Sequence, residues 1–584
     1  MILNRIYTTP EIFDVTFKLG INYIYGEKKD ESSLNGIGKS LFLDFIDFCL
    51  LSHFERSFSS RLRSAYNADL LKNISVTLEF TINSKPGIIT RNFSEPREVV
   101  FTWEDDSDKI DIEDARNILG ELVFNYHNYT GIFEPEWFRR LISFFIKIQK
   151  LHDEKFVNPI KYIKDFKVHQ TPVYLFYLLF INNELPFNFS TLIQEKKSIN
   201  DSIKTIKRFI SRAYGVKDPA EVMKRIEHLD IQISEVNNNI TTLSLLRNYD
   251  KLEDEADKLT SDIKQLYYEN ASDKKTIEEY NDSLQVSDRI SSANVERIYN
   301  KINSQLGIKV KKSLDDARDF RKRLSASRRQ FINTALEELS QNISSREKII
   351  EEKDNHRQRL LSSLYSNTAY SDLASAYQTL VGYQSQREEL ISQTRLLNDL
   401  NDEFTKLAGK QQDLFDQLPA YKAAIEPEIT NFNNVVDEVL NSIYPEEKKE
   451  FFSLTDGKRD NLINLKFWEN VKHSHGKNIG RTLIFDFSVL FYNIYNNHKS
   501  PRFLIHDGIF DSLDKSHLIK TYEFIQQKLN DNYEFQYITT INEGGIVDKK
   551  FGDADVITPE RMKKEARKVI GPKNKLLKAD FYAS

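Results

Sequence analysis

Residue types that suit phosphate chemistry occur together in one short stretch, Asn35-Gly36-Ile37-Gly38-Lys39-Ser40. Glycines let successive backbone N–H groups turn toward a phosphate chain, and a helix that follows them adds the positive end of its dipole. The lysine can reach the β- and γ-phosphates of a nucleotide, and the serine hydroxyl can hold Mg²⁺. We therefore predict a nucleotide site whose contact residues in this region are Asn35, Gly36, Gly38, Lys39, Ser40 and Leu41.

The neighbouring sequence must place this stretch between a strand and a helix. An apolar run that ends at Gly26 precedes it, and the apolar run 41–46 follows it. The end of the P-loop pattern G-x-x-x-x-G-K-[ST] is present, but Ser33 occupies the position of its first glycine. Gly26 is the better candidate for the glycine at the strand end, with residues 27–34 inserted after it. The alternative is a glycine turn that opens an ordinary helix.

Composition narrows the class of protein. A chain of 584 residues is long for one compact domain, so two or three structural units are expected. The formal net charge of −5 provides no global basic field, so any nucleic-acid surface must be local. The single cysteine, Cys49, excludes intramolecular disulfides. No apolar run approaches ~20 residues and no secretory pattern is present, so we expect a cytoplasmic protein with no membrane partner.

Residues 1–187 are predicted to form the first half of a mixed α/β domain. Apolar and polar residues alternate at a period that favours strands at 1–7, 13–18, 74–82, 87–93 and 98–103. Residues 138–151 carry apolar side chains at helical spacing and are predicted to form a helix. On that helix Arg139 and Arg140 would either face solvent or contact phosphate.

Residues 188–424 differ in composition from the rest. Gly and Pro become rare, and apolar residues recur at imperfect helical spacings among polar ones. We predict a loose antiparallel coiled-coil arm with an early break at 213–219. Two halves on the order of 100 residues would each extend about 150 Å. The distal tip is placed at 286–312, with a break at 366–372 as the alternative; a bundle packed against the rest of the chain is the other possibility.

Strands return in residues 425–584, the predicted second half of the α/β domain. The expected elements are a hairpin around Asp456-Gly457, helices at 483–495 and 517–529, and buried strands at 501–507 and 536–542. The first of these buried strands ends in the carboxylate of Asp507.

A P-loop half and a strand-plus-aspartate half, separated by a coiled coil, resemble the SMC-type members of the ABC ATPase superfamily, which include RecN and the RecF relatives. The resemblance implies an α/β fold: a split ABC-type P-loop ATPase head with a long antiparallel coiled-coil insertion. In detail, residues 138–146 and 501–507 look like local patterns of the bacterial YydD-like family. SMC-like proteins of this kind occur in anti-phage defence systems, for example of the Lamassu type.

The resemblance assigns roles to residues at matching positions. Asp507 would be the Walker B carboxylate that holds Mg²⁺ together with Ser40. Leu513-Asp514 would be the D-loop, and residues 474–481 would be the signature that grips the γ-phosphate of ATP bound to the other subunit. Thr540 falls near the usual switch histidine, while the Mg²⁺-binding glutamine is not identifiable. The second half would contact the nucleotide through Ser474, Gly476, Gly480 and Asp514.

Lys39 and Asp507 are the expected catalytic residues, yet the site departs from the family pattern. The glutamate that normally activates the attacking water is replaced by Gly508. Asp511, His506 or a residue of the partner would have to substitute for it. The signature also lacks the sequence Ser-Gly-Gly-Gln. ATP binding is therefore better supported than fast hydrolysis, and a slow ATPase is expected.

The resemblance also implies partners. Two heads would form a homodimer around ATP and Mg²⁺ and engage or sense double-stranded DNA. Additional protein subunits, such as a nuclease, would complete a defence or repair complex. The alternative is a non-hydrolysing, nucleotide-gated scaffold that regulates such an effector. A purely structural coiled-coil protein would not need the Gly38-Lys39-Ser40 stretch or Asp507.

Basic residues form the candidate DNA surfaces. Arg5, Arg61 and Arg63 would contact nucleotide or DNA, or else face solvent. A cluster near the C-terminus would neutralise phosphates without reading sequence, or else form a solvated tail or a protein-docking helix. Its members are Arg561, Lys563, Lys564, Arg567, Lys568, Lys573, Lys575 and Lys578.

Overall fold

The computed structural model describes most of the chain in two compact units. The described residues are 1–27, 38–54, 61–126, 128–149, 159–160, 167–216, 219–245, 250–287, 308–364, 369–445, 452–467, 475–513, 515–543, 558–572 and 574–577. The first unit includes Met1–Ile193 and Gln411–Ser584, and the second includes Gln194–Ser291 and Asn303–Lys410. The two ends of the sequence therefore fold together, and the helical middle forms a unit of its own.

One sheet of the first unit is antiparallel and has the strand order β2-β1-β4-β5-β6-β7. Its strands are β1 (Ile2–Thr9), β2 (Asp14–Thr16), β4 (Ser75–Ile82), β5 (Lys85–Asn92), β6 (Glu98–Trp103) and β7 (Asp106–Asp111). The predicted strands in this region are confirmed, and β7 was not predicted. The sheet supports the first helix, α1 (Lys39–Cys49), through aromatic pairs such as Phe48 with Phe93, whose ring centroids are 4.4 Å apart.

The second sheet is parallel and takes strands from both ends of the sequence, in the order β13-β3-β12-β11-β8. Its strands are β3 (Gly20–Gly26), β8 (Ile146–Lys147), β11 (Phe503–His506), β12 (Gln536–Asn542) and β13 (Lys568–Ile570). Every residue of β3 is buried, as expected for a parallel strand covered on both faces. This strand order establishes a split α/β head with a helical insertion.

Residues 138–151 do not form the single helix that was predicted. A short helix, α4 (Phe138–Ile142), ends at Ser143, and the chain then enters β8. The apolar run is buried on all sides here, so helical spacing alone could not distinguish a helix from a core strand. Arg139 donates to Leu50 O at 2.7 Å, so it does not lie on a solvated helix face, whereas Arg140 contacts the Tyr174 hydroxyl and remains exposed.

The remaining elements of the first unit cover the sheets. The helices are α2 (Arg61–Asn67), α3 (Ile112–Phe124), α5 (Thr171–Leu178), α11 (Glu426–Ile443), α12 (His475–Tyr495), α13 (Lys515–Asn530) and α14 (Pro559–Glu565). A hairpin of β9 (Phe452–Asp456) and β10 (Ile463–Phe467) confirms the predicted turn at Asp456-Gly457. Among the described helices, none combines the length and apolar composition that crossing a bilayer requires.

Long helices fill the middle of the chain. They are α6 (Glu184–Tyr214), α7 (Pro219–Leu245), α8 (Asp250–Ser287), α9 (Ile308–Leu364) and α10 (Ala369–Ala424). The predicted early break is confirmed, because α6 ends before Gly215, whose φ of +70° cannot continue a helix. Ion pairs between helices here are mostly half-exposed, and such pairs contribute little to stability.

The helices α7 and α8 contact the same part of α10. On α10, Arg387 pairs with Asp230 of α7 and Gln384 contacts Lys264 of α8. If α7 and α8 were one straight helix, residues 230 and 264 would lie about 51 Å apart. The two helices therefore do not continue one another in a straight line.

The helix α9 runs antiparallel to α8, since Asp262 of α8 pairs with Lys353 at 2.6 Å and Asp273 pairs with Arg346. Residues 288–307 of the predicted tip and residues 366–368 of the alternative break lie outside the described residues. The 56 residues of α10 span about 84 Å, roughly half the predicted length of the arm.

Candidate nucleotide site

Three parallel strands end side by side at one edge of the five-stranded sheet. β3 ends at Gly26, β12 ends at Asn542, and Asp507 follows β11 at once. Lys39 reaches the same edge, because a Cβ built on Gly26 would lie 2.8 Å from Lys39 Cδ. Parallel sheets bind ligands at the carboxyl ends of their strands, so this edge is the candidate site.

Gly38 gives the start of α1 its shape. Its φ of +104° is open to glycine, and a Cβ there would lie 2.6 Å from Leu576 Cβ. The first helical bond runs from Phe42 N to Gly38 O at 2.9 Å. The amides of Ser40 and Leu41 precede that bond, so they point out of the positive end of the helix. This end of α1 can hold an anion.

Lys39 lies between two carboxylates at this edge. Burial lowers the pKa of Lys39, and Asp511 and then Asp507 oppose that shift because both favour the charged ammonium. Beside them, Asn542 Oδ1 is buried with no hydrogen-bond partner among the described residues, 3.2 Å from a Cβ built on Gly26. A cation, two anions and an unsatisfied acceptor therefore meet at the edge, as a site for a charged ligand requires.

Asp507 is fixed by its neighbours rather than exposed on a loop. It is 2% accessible, and the Thr540 hydroxyl donates to its Oδ1 at 2.8 Å. The backbone amide of Gly508 donates to the same hydroxyl at 2.6 Å. Thr540, which was expected near a switch position, is thus a buried support for Asp507. It cannot take a proton as an imidazole would.

Gln149 is a site residue that the sequence did not reveal. It follows β8 by two residues, and its Nε2 donates to the backbone oxygen of Asp507 at 2.9 Å. Its backbone amide lies 3.3 Å from Asp507 Oδ2. A glutamine at the end of a core strand could have been recognised only if β8 had been predicted. The misassigned helix at 138–151 concealed it.

Arg61 links Gln149 to α1. Its guanidinium donates to Gln149 O at 2.6 Å and to both oxygens of Asp44 at 2.6 and 3.0 Å. Burial raises the pKa of Asp44 to about 6, and Arg61 opposes the shift. Arg61 was expected to contact nucleotide, DNA or solvent. The structure instead makes it an internal connection between two parts of the site. Arg5 likewise pairs with Asp14.

Gly508 has a φ of +64°, in the left-handed region that favours glycine. A Cβ at this position would lie 2.9 Å from both Asp511 Oδ2 and Gln149 Nε2. Gly508 occupies the position where the SMC-type resemblance predicts a glutamate. Its backbone conformation and its close neighbours both disfavour a larger side chain there, and it carries no charge.

The candidate substitutes for that glutamate differ in position. His506 is fully buried and contacts Asp486 at 2.8 Å and the Tyr537 hydroxyl at 3.1 Å. Its side chain lies on the opposite face of the sheet from that of the next residue, Asp507, because neighbouring residues of a strand face opposite sides. Asp511 is exposed, acts on Lys39 and accepts from Asn542 Nδ2 at 2.9 Å. Among the described candidates, only Asp511 shares the edge with Lys39.

The residues predicted to be the signature form the start of a helix and not a loop. α12 begins at His475, so Gly476 and Gly480 lie inside the helix. A Cβ at Gly480 would be 2.4 Å from the Tyr444 hydroxyl, so this glycine allows close packing rather than a phosphate contact. The predicted contacts outside the described residues are Asn35, Gly36, Ser474 and Asp514.

The basic C-terminal cluster is partly built into the fold. Glu27 N donates to Ile570 O at 2.8 Å where β13 pairs with β3. The side chain of Glu27 pairs with Lys563 at 2.5 Å, and Arg561 pairs with Glu565. The edge strand is therefore held beside the site by its backbone pairing with β3, while these exposed ion pairs contribute little to stability. Residues 573 and 578 of the cluster lie outside the described residues.

The donor set suits Mg²⁺ and a triphosphate. Hydroxyl and carboxylate oxygens, here those of Ser40 and Asp507, are the hard ligands that Mg²⁺ prefers. The glycine cradle at Gly38 and the ammonium of Lys39 suit phosphate oxygens. Among the described residues no three His, Cys, Asp or Glu side chains gather into a metal cluster.

Comparison with protein families gives one match. Residues 439–581 match the model of a family described as an uncharacterised protein conserved in bacteria (DUF2326). The match includes α12 and Asp507. No curated protein matches the chain.

Among solved structures, the chain is similar to Smc head domains. One is a head with a coiled coil and joint from Pyrococcus yayanosii, at 13% identity over 98% of this chain and 94% of that one, with a TM-score of 0.33. Another is a head with an extended coiled coil bound to the C-terminal domain of ScpA, from Pyrococcus furiosus, at 12% identity over 98% and 93%, with a TM-score of 0.30. TM-scores this low do not establish a shared fold. The split α/β head follows from this chain's own strand order.

Proposed function

We propose that this chain is an SMC-like ATP-binding protein whose heads dimerise around Mg²⁺·ATP to engage or sense double-stranded DNA. The observation that carries the proposal is the meeting of Lys39, Asp507 and Gln149 at one edge of a parallel sheet. The three residues come from separate parts of the sequence. Their chemistry matches what a magnesium-bound triphosphate needs: a cation, a metal carboxylate and an amide.

Binding follows from the groups present. The end of α1 would hold phosphate oxygens with its amides, and Lys39 would neutralise the terminal phosphates. Ser40 and Asp507 would hold Mg²⁺, which supplies charge neutralisation and orientation of the phosphates when bound. Thr540 keeps the carboxylate of Asp507 oriented toward that position through its 2.8 Å hydrogen bond.

Hydrolysis would be slow. With Gly508 in place of a glutamate, Asp511 is the described carboxylate best placed to orient or deprotonate a water. Positioning and charge neutralisation still accelerate phosphoryl transfer without an ideal base, which supports slow turnover.

Dimerisation and DNA binding rest on the family resemblance. The start of α12 and Asp514 would face the partner's nucleotide, so ATP would favour the closed dimer and hydrolysis would open it. A bacterial anti-phage defence or DNA-repair complex, with a nuclease or similar effector, is the setting that the resemblance suggests. The second candidate function, a nucleotide-gated scaffold without hydrolysis, is favoured by the left-handed backbone at Gly508.

The test measures mass in solution together with ATP turnover. Wild type and Asp507→Ala are examined by light scattering without nucleotide, with Mg²⁺·ATP, and with Mg²⁺·ATP plus double-stranded DNA ends. We expect a Mg²⁺·ATP-dependent dimer and slow, DNA-stimulated turnover, both lost in Asp507→Ala. A dimer without turnover would select the scaffold. A wild type that binds no ATP would contradict both functions.

A further inference from the structure

A fully buried charge network lies beneath the candidate site. Asp486 of α12 is 1% exposed, and its Oδ1 accepts from Lys147 Nζ at 2.5 Å. Its Oδ2 lies 2.8 Å from His506 Nε2. Lys147 and His506 are both 0% exposed. One carboxylate thus joins three elements: helix α12, strand β8 and strand β11.

The polar atoms of the network satisfy one another. An ionised carboxylate can only accept, so His506 Nε2 carries the proton that it donates to Asp486. His506 Nδ1 then accepts from the Tyr537 hydroxyl at 3.1 Å. Lys147 Nζ also donates to Pro159 O at 3.3 Å. The network is therefore a specific arrangement of donors and acceptors, and a shift of α12 would break it.

Stability alone does not explain such a network. Removing two charges from water costs as much as their attraction returns, and apolar side chains of similar volume often stabilise a core equally well. Buried polar groups can instead fix the register of one element against another. The role of the network therefore depends on which elements it holds in register.

The two strands that Asp486 joins are those that deliver the candidate site. Lys147 is two residues before Gln149, and His506 immediately precedes Asp507. The strands are also tied by the backbone bond from Asp507 N to Lys147 O at 3.0 Å. Asp486 itself belongs to α12, the helix that begins where the signature was predicted. The network therefore connects both site residues to that helix.

We propose that Asp486 is a positioning residue that makes α12 respond to Mg²⁺·ATP at the sheet edge. This inference rests on the proposed nucleotide site. A ligand bound against Gln149 and Asp507 would change the position of β8 relative to β11. Asp486 would transmit that movement to α12 because its two oxygens hold one residue from each strand.

The experiment is hydrogen exchange of the backbone amides of α12 with and without Mg²⁺·ATP. In wild type we expect exchange in α12 to slow at least about tenfold on nucleotide binding. The double variant Lys147→Met/Asp486→Leu replaces the network by apolar side chains and leaves no unpaired charge. We expect it to bind Mg²⁺·ATP within about threefold of wild type while the response of α12 is lost.

Two further variants keep the test decisive. Ser488→Ala alters a buried α12 residue whose hydroxyl donates only within the helix, to Ile484 O at 2.7 Å, and it should retain the full response. His506→Leu removes only the β11 connection and should lose part of the response, which provides a measurement if the double variant does not fold.

The outcomes separate the two proposals. A wild type that binds no Mg²⁺·ATP would overturn the nucleotide site itself. A wild type that binds nucleotide with no change in α12 would overturn only the role of Asp486. That role would also be overturned if the double variant, or His506→Leu in its place, bound nucleotide and kept the wild-type response.

Discussion

The two sides of the candidate site come from opposite ends of the sequence, and they differ in what they retain. The N-terminal side has the helix end, Lys39 and Ser40 in an arrangement suited to phosphate and Mg²⁺. The C-terminal side keeps Asp507, held by Thr540, but places Gly508 with a left-handed backbone where the SMC-type ATPases that the sequence resembles have glutamate. The described residues of the first side thus suit nucleotide binding, and those of the second side lack the usual base for activating water.

This difference teaches that binding and hydrolysis can be separated in one site. Binding depends on charges and amides that are present on both sides. Activation of water depends on one base, and its usual position is closed by local geometry as well as by residue type. Substitutions on the N-terminal side should therefore change affinity, while those around Gly508 should change turnover or stability.

The largest expected effect is on the N-terminal side. Lys39→Ala should weaken Mg²⁺·ATP binding at least about 100-fold, or about 2.8 kcal/mol, because it removes the cation that faces the terminal phosphates. Isothermal titration measures the affinity. Lys72→Ala, which removes an exposed lysine paired with Asp69, is the matched control and should bind as wild type does. Equal affinity for Lys39→Ala and this control would show that Lys39 does not bind the phosphates, so that the N-terminal side would not account for binding.

Asp507→Asn should separate the metal from the nucleotide. We expect Mg²⁺·ATP affinity to fall about 10- to 100-fold, since loss of a carboxylate weakens a metal site by such factors. Affinity for ATP without Mg²⁺ should stay within about threefold. Titrations with Mg²⁺ and with a chelator measure the two values. An equal loss in both conditions would mean that Asp507 does not act through the metal.

Gly508→Glu tests whether geometry or residue type limits hydrolysis. A glutamate here must adopt the left-handed region, which costs about 1–3 kcal/mol, and its Cβ meets Asp511 and Gln149. We expect lower stability in denaturant unfolding and no gain in turnover. Gly508→Asn, whose side chain tolerates this backbone, should be the milder variant. Turnover raised tenfold in a stable Gly508→Glu protein would show that only the residue type was missing.

Asp511→Asn probes the remaining base. Turnover should drop about tenfold or more because the amide cannot accept a proton, while Mg²⁺·ATP affinity stays within about threefold. Steady-state phosphate release measures turnover. Asp69→Asn, at an exposed position, provides the control. Unchanged turnover in Asp511→Asn would point to a base supplied by the partner head.

The smallest expected effect is that of Thr540→Val. The change removes the donor to Asp507 Oδ1 and the acceptor for Gly508 N in a buried position. We expect Mg²⁺·ATP affinity to fall about fivefold, or about 1 kcal/mol, because of the two lost hydrogen bonds only the one to Asp507 Oδ1 orients a metal ligand. Titration calorimetry resolves that difference. A loss as large as that of Lys39→Ala would indicate that the whole edge had rearranged.

Much of the head was predictable because its core strands are strongly patterned. The largely apolar runs of β3 and β11, the second followed directly by Asp507, predicted the strand ends that meet at the site. Gln149 was missed because β8 has two residues and lies in a run that is apolar on every side. A strand that short is defined by its neighbour β11 rather than by its own sequence.

The helical unit was less predictable for a different reason. Apolar spacing identifies helices and their breaks, but it does not specify which helix packs against which. The contact of Lys264 with Gln384 shows that α8 packs against α10, and neither residue type predicts that contact. Gly480 illustrates the same limit, since a glycine that allows close packing on Tyr444 is indistinguishable in sequence from a glycine in a phosphate loop.

The most direct test of a site that binds but hydrolyses slowly is bound nucleotide and turnover measured on one wild-type sample. Saturating radiolabelled Mg²⁺·ATP is added, and retained ATP and released phosphate are followed over time. We expect near-stoichiometric retention of intact ATP, with turnover far slower than once per second. Absence of retained ATP would contradict the nucleotide site, and fast conversion to ADP would contradict the conclusion drawn from Gly508.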